Sequence, residues 1–311
     1  MKEKQPLITV YIPTHNRAAL VKRAIMSVIN QTYGNIEIIV VDDGSSDDTA
    51  QVLNALASTY ANLKVLSHIE PKGACAARNL AIANAKGFFV TGLDDDDEFL
   101  PHRVKDFVDS YDSRYSFLCA TCIQVDEEKK IKRIEGSALI SWEDIKNKNH
   151  VGNQIFIERT RLMASCMYYE DMPAWQDYDL WFRLIKEYGA AYKINNHSYL
   201  VDISSAGQRI STSSKAHQGF CKFIDRHKAD LSASQVNNQV VNDLYNRRVR
   251  LSFVETIRSI RSIYTAKRLL LLFLLIRCPS VYVALIRLAD ECNKKLVDRK
   301  GVAAKEMHDD H

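Results

Sequence analysis

The first hundred residues alternate between two hydrophobic periods. Residues 7–12 form an apolar, β-branched run and predict a strand. Over residues 17–31, Leu20, Ala24, Ile25, Val28 and Ile29 recur at helical spacing. Residues 36–41 predict a second strand. Ser45, Ser46 and Asp47 then offer N-caps to a helix carrying Val52, Leu53 and Leu56. Residues 63–66 predict a short third strand, 74–85 an Ala-rich helix with Gly87 as its stop, and 88–93 a fourth strand. This βαβαβαβ rhythm predicts an α/β fold, a mostly parallel sheet flanked by helices on both faces. In such sheets ligands bind outside the carboxyl ends of the strands.

Residues 99–200 carry a more mixed pattern. Residues 116–125 predict a strand, and the charged run DEEKKIKR after it a solvated turn. Residues 177–188 predict a helix with Leu180, Trp181, Leu184, Ile185 and Tyr188 on one face and Gly189 as its stop. Residues 204–214 read as a Ser/Thr-rich loop. From about residue 220 the character changes: between Arg226 and Lys300 there are fifteen Lys and Arg against six Asp and Glu. The Leu-rich stretch 269–288 lies here, but Arg277 and Pro279 leave only eight consecutive apolar residues. A spanning helix needs about 20, so no transmembrane segment is expected. These shifts divide the chain into a domain over 1–215, with halves 1–100 and 101–215, and a basic, α-helical C-terminal extension over 216–311.

Composition narrows the picture. A hydrophobic fraction of 46% supports a real core, and a net charge of only +4 excludes a general nucleic-acid binder. The N-terminal apolar run is too short for a signal peptide. Seven scattered cysteines suit a reducing cytosol better than a disulfide framework. Cys119 and Cys122 form a CxxC with no second pair, which reads as small side chains in a buried strand.

Three acidic sites fall where chemistry is expected. Asp42 and Asp43 follow the second strand, where a carboxylate can accept hydrogen bonds from a base or ribose. Asp94, Asp95, Asp96 and Asp97 follow the fourth strand; four adjacent carboxylates repel one another, and a divalent cation would relieve this. Asp177 opens the 177–188 helix as a cap or a reactive group, with Asp179 as a first-turn dipole partner.

The ordered segments VYIPTHNRAALVKRAIMSVINQTY, EIIVVDDGSSDDT and KGACAARNLAIANAKGFFVTGLDDDDEFLP resemble the GT-A-fold glycosyltransferases called family 2, and WQDYDLWFRL resembles that family's acceptor-side motif. The resemblance implies an inverting, metal-dependent glycosyltransferase with a GT-A (Rossmann-like) fold. It implies that Pro13, Thr14, His15 and Arg17 line the nucleotide pocket, and that Asp42 and Asp43 hold the uracil or ribose. It places Gly73, Arg78 and Asn79 at the base and diphosphate, Asp94 and Asp95 near the ribose or sugar, Asp96 as the main ligand of Mn²⁺ or Mg²⁺, and Asp177 as general base. Two departures stand out. Gln176 occupies the position of the family's usual Glu. The family's later Arg-x-His appears as Arg209-Ile210-Ser211, which keeps Arg209 for the diphosphate but lacks the His metal contact.

The chemistry implied is one displacement at the anomeric carbon of a nucleotide-diphosphate sugar, UDP being the expected carrier, by an acceptor hydroxyl. A dehydrogenase would carry GxGxxG after the first strand, where this chain has PTHNR. A nucleotidyltransferase, or a non-catalytic sugar-nucleotide-binding protein, uses similar groups and stays open at this point. Arg258, Arg261, Lys267, Arg268, Arg277 and Arg287 among Leu-rich stretches predict association with a membrane surface. The expected setting is therefore cytoplasmic, peripheral on the inner face of the cytoplasmic membrane, beside a glycan or lipid-linked acceptor.

Overall fold

The computed structural model describes residues 5–126, 129–132, 138–152, 154–203 and 214–285. It divides into two compact units, a sheet unit within residues 5–203 and a helical unit that runs from Ser214 onward and includes residues 146–148.

The first half of the sheet unit follows directly from its apolar runs. Strands β1 (Ile8–Thr14), β2 (Ile36–Asp43), β3 (Leu63–His68) and β4 (Phe89–Gly92) lie in the order β3-β2-β1-β4, all parallel. Alternate residues of a strand face opposite sides. Ile8, Val10, Ile12, Ile36, Ile38 and Val40 therefore cluster with Val21, Ala24, Ile25 and Val28 of α1 (Ala18–Ile29) and with Leu53 and Leu56 of α2 (Thr49–Thr59). Helix α3 (Ala74–Asn84) packs on β1 and β2 as well. Because β2 and β3 lie on one side of β1 and β4 on the other, the strand order reverses between β1 and β4, and a crevice opens at their carboxyl ends.

The second half is built from shorter pieces: β5 (Glu98–Phe99), α4 (Arg103–Asp109), β6 (Leu118–Asp126), β7 (Lys129–Lys132), β8 (Ala138–Ile140), α5 (Trp142–Asn147), β9 (Ile155–Glu158), α6 (Arg159–Ala164), α7 (Gln176–Tyr188) and β10 (Ala191–Asp202). Strand β9 runs antiparallel between β4 and β6, β10 runs parallel to β6, and β5 closes the order β4-β9-β6-β10-β5. Cys119 is buried and Cys122 half-buried in β6, as expected of a covered strand.

Three local expectations are corrected. The charged run after β6 contains β7, paired antiparallel from Ile123↔Lys132 to Asp126↔Lys129; ladder bonds come from the backbone and need no apolar side chains. Of the three candidate caps before α2, Asp47 alone accepts the Thr49 amide, at 3.0 Å. Gly87 does not end α3. Ala85, already extended, does that. Gly87 is needed because a Cβ there would lie 2.5 Å from the Thr9 nitrogen of β1. Gly189, at φ 88°, does end α7.

The helical unit contains α8 (Ser214–His227), α9 (Ala233–Asn246), α10 (Phe253–Ser259) and α11 (Ile263–Arg277). Ser232, Ser252 and Ser262 each form a capping box at the start of α9, α10 and α11. Val241, Leu269 and Leu272 make a small core. Among the described residues no helix is long and apolar enough to cross a membrane.

Candidate active site

The register that pairs Thr14 with Asp42 brings the ends of β1 and β2 level, and β4 ends beside them. Thr14 Oγ1 donates to Asp95 Oδ2 at 2.8 Å across the crevice. The acidic run alternates in exposure: Asp95 and Asp97 turn inward and are buried, whereas Asp94 and Asp96 are half-exposed. Two arginines pair with carboxylates of the run, and a third holds its backbone. Arg17 Nη1 meets Asp95 Oδ1 at 2.8 Å and Asp96 Oδ2 at 2.9 Å. Arg23 Nη2 donates to the Asp96 carbonyl at 2.5 Å and to Asp202 at 3.1 Å. Arg78 Nη2 meets Asp94 Oδ1 at 2.9 Å, where Gln154 Nε2 also donates at 3.1 Å. Burial raises the pKa of Asp95 against the pull of Arg17. Burial, then the charges of Asp94 and Asp96, push Asp97 well up from the ordinary carboxylate range.

The β2 pair divides its labour. Asp43 is buried and spent on its own loop: His68 Nδ1 donates to it at 2.6 Å, the Lys72 amide at 2.9 Å and the Gly73 amide at 2.7 Å. Burial opposes its charge, but the Lys72 amide, the His68 ring and the Gly73 amide outweigh it and hold its pKa low. Asp42 makes one such bond, from the Ser45 amide at 3.0 Å. Gly73, at φ 95°, starts α3. His15 is exposed and donates from Nδ1 to the Asp43 carbonyl at 2.8 Å; half-buried Pro13 precedes Thr14 in β1. Asn16, at φ 53°, ties the two strand-end loops together by accepting the Ser46 amide at 2.7 Å.

Asp177 stands in the first turn of α7, after a left-handed Trp175 (φ 64°). It is half-buried, and its Oδ1 is enclosed with no hydrogen-bond partner among the described residues. Burial raises its pKa to about 6; Arg78 pulls down and Asp94 pushes up. Desolvation is the largest of these influences. Charging this carboxyl costs about 3 kcal/mol more than in water. Arg78 is buried, with Nε and Nη1 unpartnered among the described residues, and Asp177 and Asp94 hold it strongly charged.

Beneath these groups lies a buried polar floor. The Tyr168 hydroxyl meets the Tyr11 hydroxyl at 3.0 Å, Tyr11 reaches Gln154 at 3.4 Å, and Arg78 sits 5.3 Å from the Tyr168 ring centre. Asn79 is spent here rather than on the crevice, donating to the Tyr168 carbonyl at 2.8 Å and accepting its amide at 3.0 Å. The segment is strained, with Cys166 and Met167 at φ 60° and 51°. Arg183 braces it by donating to the Ser165 carbonyl and, at 2.6 Å, to the Met167 carbonyl. Asp179, fully buried, anchors Arg183 at 2.9 Å. Asp179 is therefore a structural anchor, not a peripheral dipole partner.

Arg209 lies outside the described residues, as does the 204–213 part of the expected Ser/Thr-rich loop. Among the described residues no group of three or more His, Cys, Asp or Glu is placed to hold a metal ion. Asp94 and Asp96, the two half-exposed carboxylates of the run, are hard oxygen donors of the kind a divalent cation takes, although each also meets an arginine. Mg²⁺ needs only one or two carboxylates, completing its shell with phosphate oxygens and water.

Sequence reading missed Tyr11, Asn16, Arg23, Gln154, Tyr168 and Arg183. Asn16 stands inside PTHNR, and the Asp179–Arg183 pair has helical i,i+4 spacing, so both were legible. Tyr168 and Gln154 meet their partners only through tertiary folding. Arg183→Ala, which strips a fully buried carboxylate of its cation, should lower unfolding stability by roughly 3 kcal/mol. A loss under about 1 kcal/mol in urea denaturation would contradict the bracing role.

With this geometry in view, the model of "Glycosyl transferase family 2" matches residues 9–173. The chain is 32% identical over 278 residues to the putative colanic acid biosynthesis glycosyl transferase WcaA of Escherichia coli (strain K12), covering 86% of this chain and 97% of that one. It is 30% identical over 188 residues to the GalNAc(5)-diNAcBac-PP-undecaprenol beta-1,3-glucosyltransferase of Campylobacter jejuni, covering 58% and 60%. Among solved structures, S. aureus TarS 1–349 in complex with UDP-GlcNAc superposes with a TM-score of 0.60 at 18% identity, covering 86% of this chain and 79% of that one. The chain belongs to glycosyl transferase family 2 and carries that family's α/β, GT-A-type fold.

Proposed function

We propose that this chain is an inverting glycosyltransferase that moves a sugar from a nucleoside-diphosphate donor, of the UDP type, to an acceptor hydroxyl, with Asp177 as general base. The observation that carries this is the enclosed, unpartnered Asp177 Oδ1 beside Arg78 and Asp94, with a pKa raised to about 6. A base poised just below neutral pH is ionised when it meets its substrate and strong enough to take a proton in the transition state. The ends of β1 and β2 supply the nucleotide pocket: Pro13, Thr14, His15 and Arg17 line it, and Asp42 accepts from the base or ribose. Asp43 acts by shaping the loop that presents Gly73. Arg78 is assigned to the diphosphate, a role that the family resemblance also gives Arg209. Asn79 acts through Tyr168, which supports Arg78. Asp95 fixes Thr14 and Arg17.

Asp96, with Asp94, would hold Mn²⁺ or Mg²⁺, which supplies charge neutralisation for the departing diphosphate. The acceptor hydroxyl loses its proton to Asp177 Oδ1 as its oxygen bonds to the anomeric carbon and the bond to the diphosphate breaks. One such displacement inverts the anomeric centre. WcaA and the Campylobacter glucosyltransferase support a role in bacterial polysaccharide synthesis, and the latter supports a lipid-linked glycan acceptor. TarS with UDP-GlcNAc supports a UDP donor.

The helical unit supports a peripheral position on the inner face of the cytoplasmic membrane. Val254, Ile257, Ile263, Leu270 and Phe273 of α10 and α11 are exposed, and so are Arg258, Arg261, Lys267 and Arg277. Apolar side chains interleaved with cations suit the boundary between acyl chains and anionic headgroups. Arg268 instead lies against the Tyr245 ring, and Arg287 lies outside the described residues.

Two variants separate the roles at the site. Asp177→Asn should keep metal-dependent donor binding by calorimetry and lower kcat by roughly 10²–10⁴. It should also be up to about 3 kcal/mol more stable above pH 6, because the charged carboxyl it removes is disfavoured in the folded state. Asp96→Ala should instead lose donor binding in the presence of Mn²⁺. Near-normal turnover in Asp177→Asn, or full wild-type activity in EDTA, would defeat the assignment.

For the helical unit, the full chain should co-sediment with liposomes rich in anionic lipid at low salt and release in high salt. Equal binding to neutral and anionic vesicles, or none to either, would rule the membrane reading out.

A further inference from the structure

The helical unit holds a cluster unrelated to the crevice. Among the described cysteines, Cys166 and Cys221 are exposed. Cys221 lies one turn after His217 on α8, with its Sγ 3.7 Å from His217 Nε2. The other ring nitrogen, Nδ1, lies 3.1 Å from Oδ2 of Asp243 on α9. The Asp243 side chain is only 3% exposed and is gripped by Arg247, whose Nη2 sits 2.7 Å and Nε 3.0 Å from Oδ2. Phe220 stacks on the imidazole, with ring centres 5.8 Å apart and planes 22° from parallel.

Each contact fixes one feature of the ring. A carboxylate can only accept, so Nδ1 carries a hydrogen, and in the neutral ring Nε2 then keeps its lone pair. That lone pair faces Cys221, so the thiol hydrogen has an acceptor. Arg247 fixes the carboxylate, the carboxylate fixes the tautomer, and Phe220 fixes the plane. An exposed thiol, a base within reach and a third group orienting that base are the parts of an activated sulfur nucleophile. Cys166, equally exposed, sits in the strained 165–168 segment and has no histidine among its hydrogen-bond partners, so it serves as an internal reference.

We propose that Cys221 is a reactive modification site, set up by His217 and Asp243 to exchange with low-molecular-weight disulfides. His217 Nε2 takes the thiol proton. The Cys221 sulfur attacks one sulfur of the disulfide, and a new S–S bond forms as the old one breaks. The second sulfur leaves as a thiolate and collects the proton from His217. Cys221 is oxidised to a mixed disulfide and one equivalent of small thiol is released, so atoms and electrons balance.

The test uses the full chain and oxidised glutathione, with time points quenched and adducts mapped by peptide mass spectrometry. Cys221 should acquire the adduct at least about tenfold faster than Cys166. His217→Gln should bring Cys221 down to the Cys166 rate while leaving Cys166 unchanged, which also checks that the variant is folded. Equal rates at the two cysteines in the unmodified chain would overturn the proposal without any variant. So would a fast Cys221 that is indifferent to His217→Gln.

Discussion

Four successive carboxylates at the end of β4 impose the condition that the rest of the site has to satisfy. Charges of one sign this close repel strongly wherever water is excluded. The fold answers with alternation: Asp95 and Asp97 turn in, Asp94 and Asp96 turn out. Arg17, at the N-cap of α1, and Arg78 of α3 pair with these carboxylates, so the helices that cover the sheet also carry its counter-charges. Asp94 and Asp96, left half-exposed, are the carboxylates proposed to hold a cation.

The same economy of charge extends to Asp177. Arg78 serves two acids, meeting Asp94 directly and acting on Asp177 through space. It remains charged in a buried position because both acids favour its cation. Its setting depends on Tyr168, and Tyr168 on the strained segment braced by Arg183, Asp179 and Asn79. Strain at Cys166 and Met167 is offset by this bracing. The proposed base thus rests on a buried assembly rather than on a mobile loop.

The sheet's first half was legible because long apolar strands and amphipathic helices carry clear periods, as in residues 7–12 and 17–31. The second half was not, because β5, β8 and β9 are two to four residues long and pair antiparallel. Such strands are too short to declare a period. At the candidate site, motif order singled out Asp94, Asp96 and Asp177. It did not distinguish residues facing the crevice from residues that shape it: Asp43 and Asn79 turn out to spend their polar atoms on neighbouring backbone. Burial, which no local pattern reports, governs the ionisation of Asp177. Hydrogen-bond partners 89 residues apart in sequence, as for Asn79 and Tyr168, leave no local trace.

Burial raises the pKa of Asp177 to about 6, and its proposed role as base turns on that. The most direct measurement is the pH dependence of kcat/KM for the unmodified enzyme with a saturable donor and acceptor. A carboxyl that must be ionised to act gives full activity above its pKa and loses it as the proton returns. The expected profile is a plateau above about pH 7 and a fall of about tenfold per pH unit below an apparent pKa of about 6. A profile that stays flat down to pH 4.5, or breaks only near the ordinary carboxylate value of about 4, would contradict it.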